Sequence, residues 1–594
     1  MRTLHRTFAV SAALGLAGLA AAAGPAGAAE PIMPLGQVQK GMHCTGRSVV
    51  SGVDIATFDV DILGVVAGDA AARQPYILFR ASGPAVDATG IGPGFSGSPI
   101  SCPDAAGVSR VVGAISEGIG AYGGLTALAT PIESILGETV DPPAETRSAP
   151  ALIRSARPLA TPLSFGGLSV PVATALQAAA RRKGAVVYAA PEAPSGPEFP
   201  LLPLQGGSAM AVGLSSGDVT AGAIGTVAYV DGSTVWAFGH PLDSAGRRSL
   251  FLQDAYVYGV IGNPIGSEDL STYKYAAPGH DVGTLTNDAV SAVVGRLGAL
   301  PRSFPLQVVG RDLDTGATDT SNMRIADETA LGLPTGVSAL SQVGAVAVAE
   351  VTYDLLRGIP LRQSGSMCVH IRVLERRRPL GFCNTYAGGS QGNGPGAAQV
   401  ADFGSAAGAL DAFNFGPLHI LGAQVDLRFR RSLRQAYLLE ATAPQRARRG
   451  TTVRVRVLAQ RVNGPKLRRT ISVRIPRQTP IGQRRIRLDG APGDGGGSLT
   501  DALSGVIDLG SLQTTDTSTD DAAGPRTVKA LAASIAGVHR YDGVTASILP
   551  LGGGGGGGGL PGGPEGIAQR ARDVYRDPAL RLSGTASARI TVTP

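Results

Sequence analysis

The chain has 594 residues, with 52 Lys or Arg against 45 Asp or Glu and a net charge of +7. That length accommodates three or four domains, each able to bury a core. A composition of 43% hydrophobic and 16% charged residues excludes a disordered chain. The positive excess carries no nucleic-acid reading, because no helix-turn-helix, zinc-finger spacing or aromatic stacking platform accompanies it.

In chain order, Arg2, His5 and Arg6 form a basic start, residues 7–22 are apolar, and Ala26-Gly27-Ala28 offers small residues for cleavage. A signal peptide over 1–29 is expected, giving a secreted or envelope protein whose mature chain has no membrane-spanning helix. Four cysteines in an exported chain suggest two disulfides. Cys44 with Cys102 and Cys368 with Cys383 keeps each pair within one expected domain. Neither pair has C-x-x-C spacing, so no metal site is expected, and nothing in the sequence asks for a cofactor.

Residues 30–140 read as short strands. Val60 and Ile62 alternate with Asp59 and Asp61, and further strands follow at 77–80 and 111–115. This stretch also carries Gly94-Phe95-Ser96-Gly97-Ser98-Pro99. A serine between close glycines can sit on a tight turn whose backbone N–H groups, here those of Gly94 and Ser96, converge as an oxyanion hole. Ser96 is therefore a candidate nucleophile. Residues 141–208 are a linker with a helix over 171–183, begun by Pro171 and ended at Gly184, and a strand at 185–189. Residues 209–300 contain the strand-like run 223–230 and then Ala237-Phe238-Gly239-His240-Pro241-Leu242.

From 301 to 423 a mixed α/β region is expected, with strands at 345–353 and 366–374 and a helix at 400–414. His370 and His419 there read as ordinary strand residues. Residues 424–490 alternate strongly, as in Thr-Val-Arg-Val-Arg-Val at 452–457, and predict an immunoglobulin-like β domain. Its arginines, among them Arg446, Arg448, Arg449, Arg454, Arg456, Arg468 and Arg469, read as a patch for a cell-wall anionic polymer or as the solvated face of half-buried strands. The second reading is the better supported. Residues 491–594 supply Gly-rich linkers and C-terminal strands.

Several blocks in fixed order resemble the SpoIVB-type (stage IV sporulation B) serine peptidase family. They are Met33–Met42, 58–65, Thr-Gly-Ile-Gly-Pro-Gly-Phe-Ser-Gly-Ser-Pro at 89–99, Val-Gly-Ala-Ile-Ser at 112–116, Ala-Thr-Pro-Ile-Glu-Ser-Ile-Leu at 129–136, 223–241 and 282–288. The resemblance implies a mainly β protein with a trypsin-like two-barrel core that hydrolyses a protein or peptide substrate. Ser96 attacks and His240 acts as general base. It also implies a permuted order, since the serine half here precedes the histidine half. Nucleophile and base meet in space, so chain order is free to vary.

The family's third catalytic residue falls near Ser82, which leaves the orienting acid open among Asp87, Asp243, Asp254 and Asp288. A Ser/His dyad, or an inactive peptide-binding relative or envelope scaffold, remains the alternative. His43 beside Cys44 imitates the trypsin histidine. Too few residues separate it from Ser96 to build a barrel and a crossover, so it is expected at the surface beside a disulfide.

Overall fold

The computed structural model describes residues 29–594 apart from 69–73, 120–122, 160–161, 263–271, 332–336, 358–361, 389–394, 492–496, 507–523, 539–541 and 552–571. The expected signal peptide therefore lies outside the described residues save for Ala29, as do most of the Gly-rich linkers. The protein is mainly β.

The first seven strands are β1 (His43–Val49), β2 (Ile55–Val66), β3 (Tyr76–Ser82), β4 (Pro99–Pro103), β5 (Ser109–Ile119), β6 (Thr126–Pro131) and β7 (Ala156–Pro158). They run in the order β4-β1-β2-β3-β6-β5, and the β4–β5 pairing closes a six-stranded barrel, with β7 added outside β5. Alternation drives the closure: Phe58, Val60 and Ile62 of β2 are buried while Asp59 is exposed. Gly46 of β1 makes room for the Phe58 ring, since a Cβ there would stand 2.2 Å from Phe58 Cε2.

Next come β8 (Leu163–Gly166), β9 (Val187–Ala189), β10 (Ala209–Gly217), β11 (Thr220–Asp231), β12 (Thr234–Ala237), β13 (Gly246–Ile261), β14 (Tyr273–Ala289) and β15 (Ala292–Leu297). Antiparallel pairings in the order β10-β13-β14-β15-β12-β11 return to β10 and close a second circuit of six strands. β8 and β9 extend it beyond β11.

The region expected as a separate mixed unit is continuous with this sheet. β16 (Ser303–Asp312), β17 (Thr318–Ala326), β18 (Gln363–Val373), β19 (Arg376–Gly388) and β20 (Ile420–Arg430) join it through the β10–β17 pairing. β20 also runs across the expected boundary at 424. The strand expected at 345–353 is instead part of a helix, Ala339–Leu356. Its Ala/Val alternation imitates a strand, but alanine is a strong helix former and Ser338 caps the start by accepting the Ser341 N–H. Being buried on nearly every side, the helix shows no polar face that would betray its period. It is also long and apolar enough to cross a membrane, yet 89% of it is buried inside the protein, which makes it a core helix. A second helix, Pro395–Asp411, packs on it, with the Phe403 ring against Gly344.

The C-terminal part is a pair of sheets, four- and five-stranded, built from strands between Gln435 and Thr593 around their own core. Both expected disulfides are present, Cys44–Cys102 with Cα atoms 4.3 Å apart and Cys368–Cys383 with Cα atoms 4.1 Å apart. Two disulfides are compatible with an extracytoplasmic protein.

Candidate active site at the contact between the two circuits

The glycine–serine turn and the histidine motif, 144 positions apart between Ser96 and His240, touch backbone to backbone. A Cβ on Gly97 would stand 1.9 Å from Thr226 O and 2.6 Å from Phe238 N, so only glycine fits. Thr226 N–H donates to Ser96 O at 2.9 Å. From the other side, Thr130 Oγ1 of the first barrel donates to Gly239 O at 2.7 Å. Phe238 and Gly239 both take left-handed φ, +71° and +68°. For a phenylalanine that conformation costs on the order of 1–3 kcal/mol, and such strain clusters at functional sites.

Around Ser96 the backbone turns at Gly94 (φ +94°) and Gly97 (φ +91°). Three amides of the turn are occupied: Phe95 N–H bonds Gly92 O, Gly97 N–H bonds Ile115 O and Ser98 N–H bonds Phe95 O. The amides of Gly94 and Ser96 donate to no acceptor among the described residues. These are the two N–H groups an oxyanion hole requires at this turn. Ser96 is fully buried and its Oγ has no hydrogen-bond partner among the described residues.

His240 is 6% exposed. Its Nδ1 lies 2.6 Å from Pro241 O, and since a carbonyl only accepts, the proton resides on Nδ1. That leaves the Nε2 lone pair free, and among the described residues Nε2 is likewise buried without a hydrogen-bond partner. Burial pulls the imidazole below its ordinary pKa against the opposing pull of the Pro241 and Leu159 carbonyls, so the ring is neutral at pH 7. Ser96 Oγ and His240 Nε2 are not hydrogen-bonded to each other.

None of the four carboxylates considered as orienting acid bonds to His240. Asp87 accepts Gly83 N–H in its own turn. Asp254 holds His280 Nδ1 at 2.8 Å. Asp243 pairs with Arg248 at 2.6 Å. Asp288 accepts the N–H groups of Leu242, Asp243 and Ala245, which fixes the loop that follows His240. Burial, helped by the hydrogen bond with Asp243, raises Asp288 to about 6. The partner of His240 Nδ1 is instead the Pro241 carbonyl. His43 is exposed beside Cys44, with Nδ1 2.5 Å from Asp61.

One group at the site is invisible in the motifs. Lys274 of β14 is 2% exposed, and its Nζ donates to Ser48 Oγ at 2.7 Å and Thr226 Oγ1 at 2.9 Å. Thr226 Oγ1 in turn donates to Gly94 O at 2.8 Å, and Ser48 Oγ lies 2.8 Å from Ser98 Oγ. The ammonium sits 4.8 Å above the Phe95 ring. The network therefore clamps both ends of the Ser96 turn to strands of both circuits. Burial alone lowers Lys274 to about 7, with no carboxylate facing it among the described residues. Its only sequence signal is Lys274 between Tyr273 and Tyr275, and that alternation cannot say which face is interior.

Elsewhere, Cys368, His370 and Cys383 lie at metal-ligand distances from one another, but the two sulfurs are joined in the disulfide. His419 pairs with Glu375 at 2.6 Å. No family model, no curated protein and no solved structure matches this chain.

Proposed function

We propose that the protein is an exported serine endopeptidase of the SpoIVB type, a permuted two-barrel enzyme in which Ser96 is the nucleophile and His240 the general base. The observation that carries this reading is the pair of buried, unpartnered atoms, Ser96 Oγ and His240 Nε2, on motifs packed against each other. Buried polar atoms without partners are rare because each costs about 1–3 kcal/mol. A reacting centre is a reason to keep two.

In the reaction, Nε2 takes the Ser96 proton as Oγ attacks the substrate carbonyl, and returns it to the leaving amine. The Gly94 and Ser96 amides stabilise the oxyanion. Pro241 O holds the tautomer that keeps Nε2 basic, so the site works as a dyad with a backbone carbonyl in the acid's place.

Reaction of purified protein with a fluorophosphonate tests this. Labelling that Ser96→Ala abolishes is expected, and labelling that persists in that variant sinks the assignment. A second reading, a pseudopeptidase that binds peptides, is favoured by one observation: Ser96 and His240 share no hydrogen bond in this state. It predicts peptide binding without labelling.

A further inference from the structure

Prolines recur at every third position in the connection that precedes β10, at Pro191, Pro194, Pro197, Pro200 and Pro203. Three residues per turn is the period of a polyproline II helix, which carries such prolines on one side. Two contacts pin the connection to the protein: the Tyr258 hydroxyl donates to Glu192 O, and the buried Phe199 ring meets Tyr256 edge-on with centroids 5.5 Å apart. A short 3-10 helix at Gly196–Glu198 lies between them in the chain.

Tyr256 and Tyr258 belong to a longer row of rings. On β13 they flank buried Val257, and on β14 Tyr273 and Tyr275 flank buried Lys274, so strand alternation turns these tyrosines to the outer face. Ring centroids lie 5.0 Å apart from Tyr256 to Tyr258, 5.8 Å on to Tyr275, 6.5 Å on to Tyr273 and 3.7 Å on to Tyr188 of β9. The first three pairs meet at 68°, 50° and 82°, which leaves wedges between the rings. Ile261 stands directly opposite Tyr273 and is 45% exposed. Among the described residues the Tyr273 and Tyr275 hydroxyls make no hydrogen bond, and burial raises both above the usual tyrosine pKa, so each remains a donor.

We propose that the end of this row formed by Tyr188, Tyr273, Tyr275 and Ile261 is a docking site for a proline-rich segment of another protein. The chain's own connection shows the chemistry that the row accepts, a proline-spaced backbone whose carbonyl takes a tyrosine hydroxyl. Tyr273 and Tyr275 repeat that offer without a taker. A polyproline II segment suits it, because its backbone carbonyls are unpaired and it is already ordered before it binds. Aromatic-lined surfaces read such segments in general, and one turn rises about 9 Å, comparable with two ring-to-ring steps along the row. A series of wedges also fits narrow proline rings better than a flat sugar, which stacks on one open ring face. The proposal does not depend on the chemistry at Ser96.

The test is calorimetric titration of the full chain carrying Ser96→Ala, which removes any hydrolysis of the probe, with decaproline and separately with chitohexaose. Decaproline should bind saturably. Adding Tyr273→Ala and Tyr275→Ala together should weaken it at least about tenfold, the scale of two lost aromatic contacts, while Phe at both positions should cost less because the rings remain. Ile261→Asp changes an exposed position, so it should keep the unfolding midpoint and still weaken binding severalfold; it carries the test if the alanine pair fails to fold. Absence of saturable decaproline binding overturns the proposal, as does an affinity within about twofold of the parent in both the alanine pair and Ile261→Asp. Binding of chitohexaose alone, weakened by the same substitutions, assigns the row to glycans and overturns it too.

Discussion

The contact between the two circuits and the C-terminal sandwich are built from similar strands and obey opposite rules. In the strand Thr452–Arg461 of the sandwich, Val453, Val455 and Val457 are buried while Arg454 and Arg456 point to solvent, so every side chain goes where its polarity sends it. At the contact, among the described residues, a lysine is buried without an acid, a phenylalanine holds a left-handed φ, and Ser96 Oγ and His240 Nε2 are buried without hydrogen-bond partners. Local rules are expected to fail where function pays for the failure. The strand Thr452–Arg461 breaks none of them and reads as support, although the same pair of sheets fully buries Arg581, whose Nη1 donates to Ala387 O at 3.3 Å.

The largest test of this contrast is loss of chemistry. Ser96→Ala or His240→Ala should lower peptide hydrolysis by about four to six orders of magnitude, because the pair acts as a unit, while His43→Ala should leave it nearly unchanged. The pH dependence has a defined sign. The proposed reaction needs neutral His240, and burial puts its pKa below the usual 6.5. Activity should therefore hold down to pH 6.5 and fall only below it. An acid limb centred above 6.5 would show that the ring is not buried in the working enzyme.

The disulfides come next. Cys44–Cys102 ties β1 to β4 in the barrel that carries Ser96 and spans 58 residues, whereas Cys368–Cys383 links the neighbouring strands β18 and β19 across 15. Loop-closure entropy assigns about 4 kcal/mol to the first and about 3 kcal/mol to the second. Replacing each pair by alanine and measuring urea unfolding should reproduce that order. If the second proved the costlier, the entropic account would fail here.

Lys274 sharpens the comparison further. Its folded pKa of about 7 lies below its unfolded value near 10.4. Between those limits the unfolded chain binds one proton more than the folded one, so stability from this group rises with pH across the window and is flat below it. The slope is at most about 1.4 kcal/mol per pH unit. Wild type should therefore gain stability relative to Lys274→Met on going from pH 7 to 10. A pH-independent difference would mean that the amine is solvated.

How much of this was legible in the sequence depends on the range of the interaction. The alternation of β2 and of Thr452–Arg461, the helix Val170–Arg182 between Pro171 and Gly184, and both disulfides follow from local pattern or domain membership. The Ala/Val helix at 339–356 was misread because period two and period 3.6 are indistinguishable when both faces are buried. The tautomer-fixing carbonyl of Pro241, the Lys274 clamp and the docking of Leu159 on β5 were illegible. The last two depend on register between segments far apart in the chain, and four scattered aspartates could not reveal that the neighbouring Pro241 carbonyl is the partner of His240 Nδ1.

The smallest expected effect lies on the arginine face of the sandwich. Arg454 stands opposite Ser472 and Arg456 opposite Thr470 on the neighbouring strand, so the cations face hydroxyls and water rather than one another. No ion pair or burial among the described residues depends on either side chain. Replacing both with serine should therefore change the unfolding free energy by less than about 0.5 kcal/mol. It should leave fluorophosphonate labelling at Ser96 unaltered. A larger loss of stability, or a loss of binding to an anionic cell-wall polymer, would mean that this face does more than keep the sandwich in water, and the contrast with the contact between the circuits would narrow accordingly.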